Sequence, residues 1–78
     1  MLTYLIRLDK AGSPIDFVNT MTTVPCAVTL EDGKRFADAK SLYGVMNTRR
    51  NIPVNLNFDC EESEIEGIKQ FIEKCKVV

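Results

Sequence analysis

The sequence predicts an α+β domain in which a four-stranded antiparallel sheet carries three helices on one face. Three observations lead there. Short segments alternate apolar and polar residues with a period of two, the pattern of half-buried strands. Asp32-Gly33 falls between two strand-like segments, a strong short-range signal for a hairpin. The stretches after Ser13 and after Asp59 place their apolar residues on one side of a helix instead. Strands that can pair antiparallel, interleaved with one-sided helices, bury their apolar surfaces if all helices share one sheet face.

Taken in order, Leu2, Tyr4, Ile6 and Leu8 fall on one face of a first strand and Thr3, Leu5 and Arg7 on the other, until Asp9-Lys10-Ala11-Gly12 breaks it. Ser13-Pro14-Ile15-Asp16 starts a helix: Ser accepts from the N3 amide, Pro at N1 loses no needed N–H, and Asp suits the positive end of the dipole. Phe17, Val18 and Met21 continue its apolar face, and Thr22-Thr23-Val24-Pro25 stops it near Thr22. Cys26, Val28 and Leu30 alternate with Ala27, Thr29 and Glu31 in a second strand, and Lys34-Arg35-Phe36-Ala37 returns as the third. Ser41 or the residues just before it cap a short helix holding Leu42, Tyr43, Val45 and Met46. Asn47 to Pro53 reads as a polar loop, and Val54, Leu56 and Phe58 against Asn55 and Asn57 as the fourth strand. Asp59 opens the last helix, striped by Ile65, Ile68, Ile72 and Cys75 with Phe71 beside them. Glu61, Glu62 and Glu64 precede that stripe and Lys74 and Lys76 finish it, as the dipole favours. Gly67 weakens the helix slightly. The other sheet face displays Thr3, Arg7, Thr29, Asn55 and Asn57, and one domain spans 1–78.

Composition narrows the chemistry. The 78 residues carry 10 basic and 11 acidic side chains, a net charge of −1, and no His. Without imidazole there is no Ser-His-Asp or Cys-His nucleophile and no His-containing zinc site. A Cys acting without His is the remaining enzymatic route, and a non-enzymatic binding module is the expectation, with no cofactor and no metal. The basic residues form no dense stripe, which argues against a nucleic-acid partner. Leu2, Tyr4, Leu5 and Ile6 are too few for a signal peptide or a membrane span, so a cytoplasmic protein with no membrane partner is expected. Cys26, Cys60 and Cys75 are odd in number, far apart and without a CxxC pair; they read as small core residues of a reduced compartment, with no disulfide.

The segment Asp38-Ala39-Lys40-Ser41-Leu42-Tyr43-Gly44-Val45-Met46, after a Gly-containing hairpin and before a strand and a final helix, resembles the HPr family of phosphocarrier proteins of the bacterial sugar phosphotransferase system. The βαββαβα order agrees, and the resemblance covers roughly residues 13–78. It implies an HPr-like open-faced β-sandwich. It also implies a serine phosphorylated by HPr kinase at the start of the second helix, matching Ser41, and a second-helix surface that docks enzymes and regulators. The family's phosphocarrier step needs a His followed two residues later by Arg-Pro at the first helix. Matching on Phe17-Val18 puts Lys10 at the His position and Gly12 at the Arg position, and a protonated Lys is a poor phosphoryl carrier.

Ser41 is therefore both a helix cap and a candidate phosphorylation site, two roles that are compatible. Leu42, Tyr43 and Met46, rimmed by Lys40, Arg49 and Arg50, form a candidate protein-docking patch, with Tyr43 and Met46 expected outside and Leu42 or Val45 in the core. Arg49-Arg50 also reads as an ordinary solvated pair, and Glu61-Glu62-Ser63-Glu64 as a helix start, since it lacks the spacing of a calcium loop. Ser13 has no base beside it and reads as a cap. Two functional classes follow. One is a regulatory or decoy partner of HPr kinase, Enzyme I or a catabolite regulator that relays no phosphate. The other is a structural module outside sugar transport, for instance a dimer through Leu5, Thr29 and Asn55 on the open sheet face.

Overall fold

A computed structural model describes residues 1–77. Its strands are β1 (Leu2–Ile6), β2 (Val28–Asp32), β3 (Arg35–Asp38) and β4 (Val54–Phe58), and its α-helices are α1 (Pro14–Met21), α2 (Leu42–Met46) and α3 (Lys69–Cys75). The strands form one antiparallel sheet in the order β1-β4-β2-β3. The fold is the expected α+β open-faced sandwich.

The register explains the alternation. Tyr4, Leu56, Leu30 and Ala37 lie in one row across the sheet, and Leu5, Asn55, Glu31 and Phe36 in the next. Side chains of adjacent rows point to opposite faces, so the first row joins the core and the second faces out. Val28, Leu30, Val54, Leu56, Phe58 and Ile6 are buried on the inner face together with Phe17, Met21, Val45, Ile65, Ile72 and Cys75 from the helical layer. Tyr4 meets Phe58 edge-on at 6.0 Å between ring centres, and Phe17 meets Phe71 at the same separation, tying α1 to α3. On the open face Thr3 Oγ1 donates to Asn57 Oδ1 at 2.8 Å and Asn57 Nδ2 donates to Glu31 Oε1 at 3.2 Å. Thr3, Thr29, Asn55 and Asn57 stand there as expected, whereas Arg7, expected with them, lies past the end of β1 at the start of a 3-10 turn. The hairpin turns through Gly33-Lys34, with Gly33 at φ +64°, between the paired Asp32 and Arg35.

α1 begins as its sequence dictates: Ser13 Oγ accepts from the Asp16 amide at 3.1 Å, Pro14 takes the first helical position, and Thr22 closes the helix. Three expectations are corrected. The first strand ends at Ile6, and Leu8 reaches the core from a 3-10 turn (Leu8–Lys10) instead. The chain leaves the sheet there because Arg7 N–H is drawn to Cys75 O at 3.0 Å and Asp9 N–H to Arg50 O at 3.0 Å. The last helix, expected continuous from Asp59, starts as a 3-10 segment (Glu62–Ile68) and becomes α-helical only at Lys69. Three residues per turn stack Ile65 and Ile68 against the core while Glu62, Ser63, Glu64 and Glu66 stay in water.

The third correction concerns the cysteines. Cys75 is buried and free, but Cys26 and Cys60 are bonded to each other, with Cα atoms 5.8 Å apart. A separation of 34 residues hid the pair. Val28 is opposite Phe58, and Asp59 N–H donates to Ala27 O at 3.0 Å, so one further step of the β2–β4 ladder sets Cys26 opposite Cys60. After α3 the chain runs back along β1: Lys76 bridges to Ile6, and Val77 N–H donates to Leu5 O at 2.7 Å. That covers the Leu5–Ile6 end of the β1 edge. Among the described residues no helix is long and apolar enough to cross a membrane.

Candidate protein-docking site

The site is built from β3 into α2. Asp38 ends the strand and organises the turn: its carbonyl accepts from Ser41 N–H at 3.1 Å and its carboxylate from Lys40 N–H at 2.9 Å. Ser41 Oγ then caps α2 by accepting from Gly44 N–H at 3.3 Å. Gly44 is where helix and strand touch; a Cβ there would sit 3.1 Å from Asp38 O and 3.4 Å from Ala37 Cβ. A helix held this close commits one side chain inward, and Val45 is fully buried. Its rotation turns the remaining apolar residues out: Tyr43 is 80%, Met46 63% and Leu42 39% exposed. Leu42 and Tyr43 each lie three or four residues from Met46, so the three are neighbours on one helix surface. The expected division, Tyr43 and Met46 outside with Val45 in the core, is what the fold contains.

Beside this patch, between β3 and α2, runs an open groove of about 350 Å³ lined in part by Leu30, Asp32, Arg35, Ala37, Tyr43 and Thr48. Thr48, one of its lining residues, donates its Oγ1–H to Gly44 O at 2.9 Å. The basic residues named from sequence do not form a continuous rim. Lys40 reaches back to Val24 O at 2.6 Å. Arg49 makes a two-point contact with Asp32, Nε to Oδ2 at 2.9 Å and Nη2 to Oδ1 at 2.7 Å, at the groove's end. That contact holds the Asp32 carboxyl below its ordinary pKa and raises the Arg49 guanidinium. Arg50 turns instead to the segment before α1, where its Nη2 donates to Gly12 O at 2.8 Å and to Leu8 O at 3.3 Å. The two side chains diverge: Arg49, still 64% exposed as a solvated residue, holds the end of β2, and Arg50, half-buried, holds the segment before α1.

At the start of α1, Lys10 is exposed at the end of its 3-10 turn, and Gly12 adopts φ +80° with its carbonyl on Arg50. The Ser13 hydroxyl is taken up as the α1 cap. Sequence reasoning missed Phe36, 65% exposed on the open sheet face, and Arg35 beside the groove. The signal existed: a two-residue Gly33-Lys34 turn pairs Asp32 with Arg35, which alternation then converts into Phe36 outward and Ala37 inward. Among the described residues no group of three or more His, Cys, Asp or Glu could hold a metal ion. No family model matches the chain, and no curated protein matches it.

Proposed function

We propose that this protein is a non-enzymatic, HPr-like binding module of the cytoplasm that takes part in phosphotransferase regulation without carrying phosphate, docking partners through α2. The observation that carries the reading is the helix itself. Ser41 opens it, and an apolar surface of Leu42, Tyr43 and Met46 follows at once. Phosphorylation of Ser41 would add close to two negative charges beside that surface and so control docking. With no His in the chain, a partner that binds here receives no phosphoryl group, and the protein competes for surfaces instead. Enzyme I, HPr kinase and a catabolite regulator are the partners the resemblance names.

The test has two parts. Titration with Enzyme I should give saturable binding that Tyr43→Ala and Met46→Ala each weaken at least ~10-fold, with no phosphate acquired. Incubation with HPr kinase and ATP should place phosphate on Ser41 by mass spectrometry; equal incorporation into Ser41→Ala would remove that site. A second reading, a structural module outside sugar transport, draws on the open face, where Leu5 is 44% exposed and Phe36 65% in a single cross-sheet row. A dimer in light scattering that Phe36→Ser abolishes, together with no affinity for Enzyme I, would favour it.

A further inference from the structure

We infer that Cys26 and Cys60 form a reversible thiol–disulfide site that responds to low-molecular-weight thiols and disulfides and sets how firmly two surface loops are held together. The argument starts from the ladder. The pairing of Val28 with Phe58 and the bond from Asp59 N–H to Ala27 O exist independently of the sulfur atoms. These contacts keep the two residues opposite each other, at a Cα separation of 5.8 Å, within the range a disulfide spans. The reduced pair is therefore already assembled for oxidation and needs no refolding to close.

Both residues are only half-buried, so a small thiol or disulfide reaches them from solvent. Cys75 differs in each respect. It is fully buried, its Sγ donates to Ile72 O at 3.5 Å, and burial pushes its thiol pKa up, all of which keep it out of exchange. The chain thus divides its three cysteines into one facing pair and one inert core residue.

The chemistry balances with a small disulfide, such as oxidised glutathione, as oxidant. One protein thiolate attacks a sulfur of that disulfide, forming a mixed disulfide and releasing one small thiolate. The second protein thiolate then attacks the mixed disulfide at the protein sulfur and releases the other. Two protein thiols are oxidised, one small disulfide is reduced to two thiols, and the two protons lost by the cysteines pass through solvent to the departing thiolates. Reduction runs the same steps backwards.

What the bond controls is local. Cys26 lies in the loop between α1 and β2, and Cys60 immediately precedes Glu61, which opens the 3-10 segment. Closing the bond joins two loops 34 residues apart in the chain, which restricts the unfolded chain and steadies the start of that segment.

The experiment equilibrates the full chain in mixtures of reduced and oxidised glutathione, quenches with an alkylating reagent, and counts labels per cysteine by mass spectrometry. Cys26 and Cys60 are expected to change together with one midpoint while Cys75 stays unlabelled. The oxidised form should melt on the order of 10 °C above the reduced form. A Cys26→Ser, Cys60→Ser chain should melt with the reduced form in every mixture. The inference is overturned if the pair stays bonded in the most reducing mixture or open in the most oxidising one. It is equally overturned if Cys75 exchanges with either partner, or if oxidised and reduced forms melt together.

Discussion

Single residues decide how α2 meets the sheet. Gly44→Ala would bring a methyl group to 3.1 Å from the Asp38 carbonyl, tighter than ordinary contact against rigid backbone. It is expected to lower stability by about 1–3 kcal/mol in urea unfolding. Gly67 is the contrast, because a Cβ there meets nothing within 4 Å. Gly67→Ala is expected to leave stability unchanged or raise it by up to ~1 kcal/mol. Two carboxylates are held in their ionised form by basic partners. Arg49 hydrogen-bonds Asp32 and Lys69 hydrogen-bonds Glu62, and each contact depresses the carboxyl pKa in the folded state. Depressed carboxylates add stability that is complete above the unfolded-chain pKa of ~4 and is lost as pH falls through the folded value. Thermal melts from pH 6 to 2 should therefore show a steeper acid fall for the natural chain than for Asp32→Asn combined with Glu62→Gln. The Asp32–Arg49 contact was not legible in the sequence. Arg49 lies in a loop 17 residues from its partner, and only the approach of that loop to the hairpin end joins them.

At the scale of elements, capping was the most readable feature. Ser13, Pro14 and Asp16 announce α1 because the N-terminal amides have few ways to be satisfied, and local chemistry alone supplies one. Ser13→Ala is expected to cost about 1 kcal/mol, read as a lower urea midpoint with an unchanged slope. The strands were readable through alternation, which fixes the buried face whatever the neighbour. The 3-10 segment was not, since Ile65 and Ile68 satisfy a three-residue and a 3.6-residue repeat equally well over so short a span. For the docking helix, Val45→Ala should destabilise by about 1–3 kcal/mol because it empties a fully buried position. Tyr43→Ala should stay within ~0.5 kcal/mol of the natural chain while losing partner affinity. A Tyr43→Ala chain that melts like Val45→Ala would assign Tyr43 to the fold rather than to the surface.

For the whole molecule, sheet order is what local patterns could not supply. Four strands and three one-sided helices were evident, but the central place of β4, and with it the meeting of Cys26 and Cys60, depends on contacts between distant parts of the chain. The same holds for the cover over β1. Truncation after Cys75 removes the Lys76 bridge to Ile6 and the bond from Val77 N–H to Leu5 O, opening the Leu5–Ile6 end of that edge. The truncated chain is expected to melt lower and to self-associate in light scattering at concentrations where the full chain does not.

The placement of β4 also decides which parts of the sheet can pair before it is present. Residues 54–58 form the strand that joins β1 to the β2–β3 hairpin. Without residues 54–58 neither β1 nor the β2 side of the hairpin has its sheet neighbour, and the apolar side chains of their inner face lack part of their cover. In chain order β4 follows β1, β2 and β3, so β1 and the hairpin can join into one sheet only once β4 is present. A β1 segment without that neighbour leaves apolar side chains and unpaired backbone exposed, the kind of surface that chaperones bind.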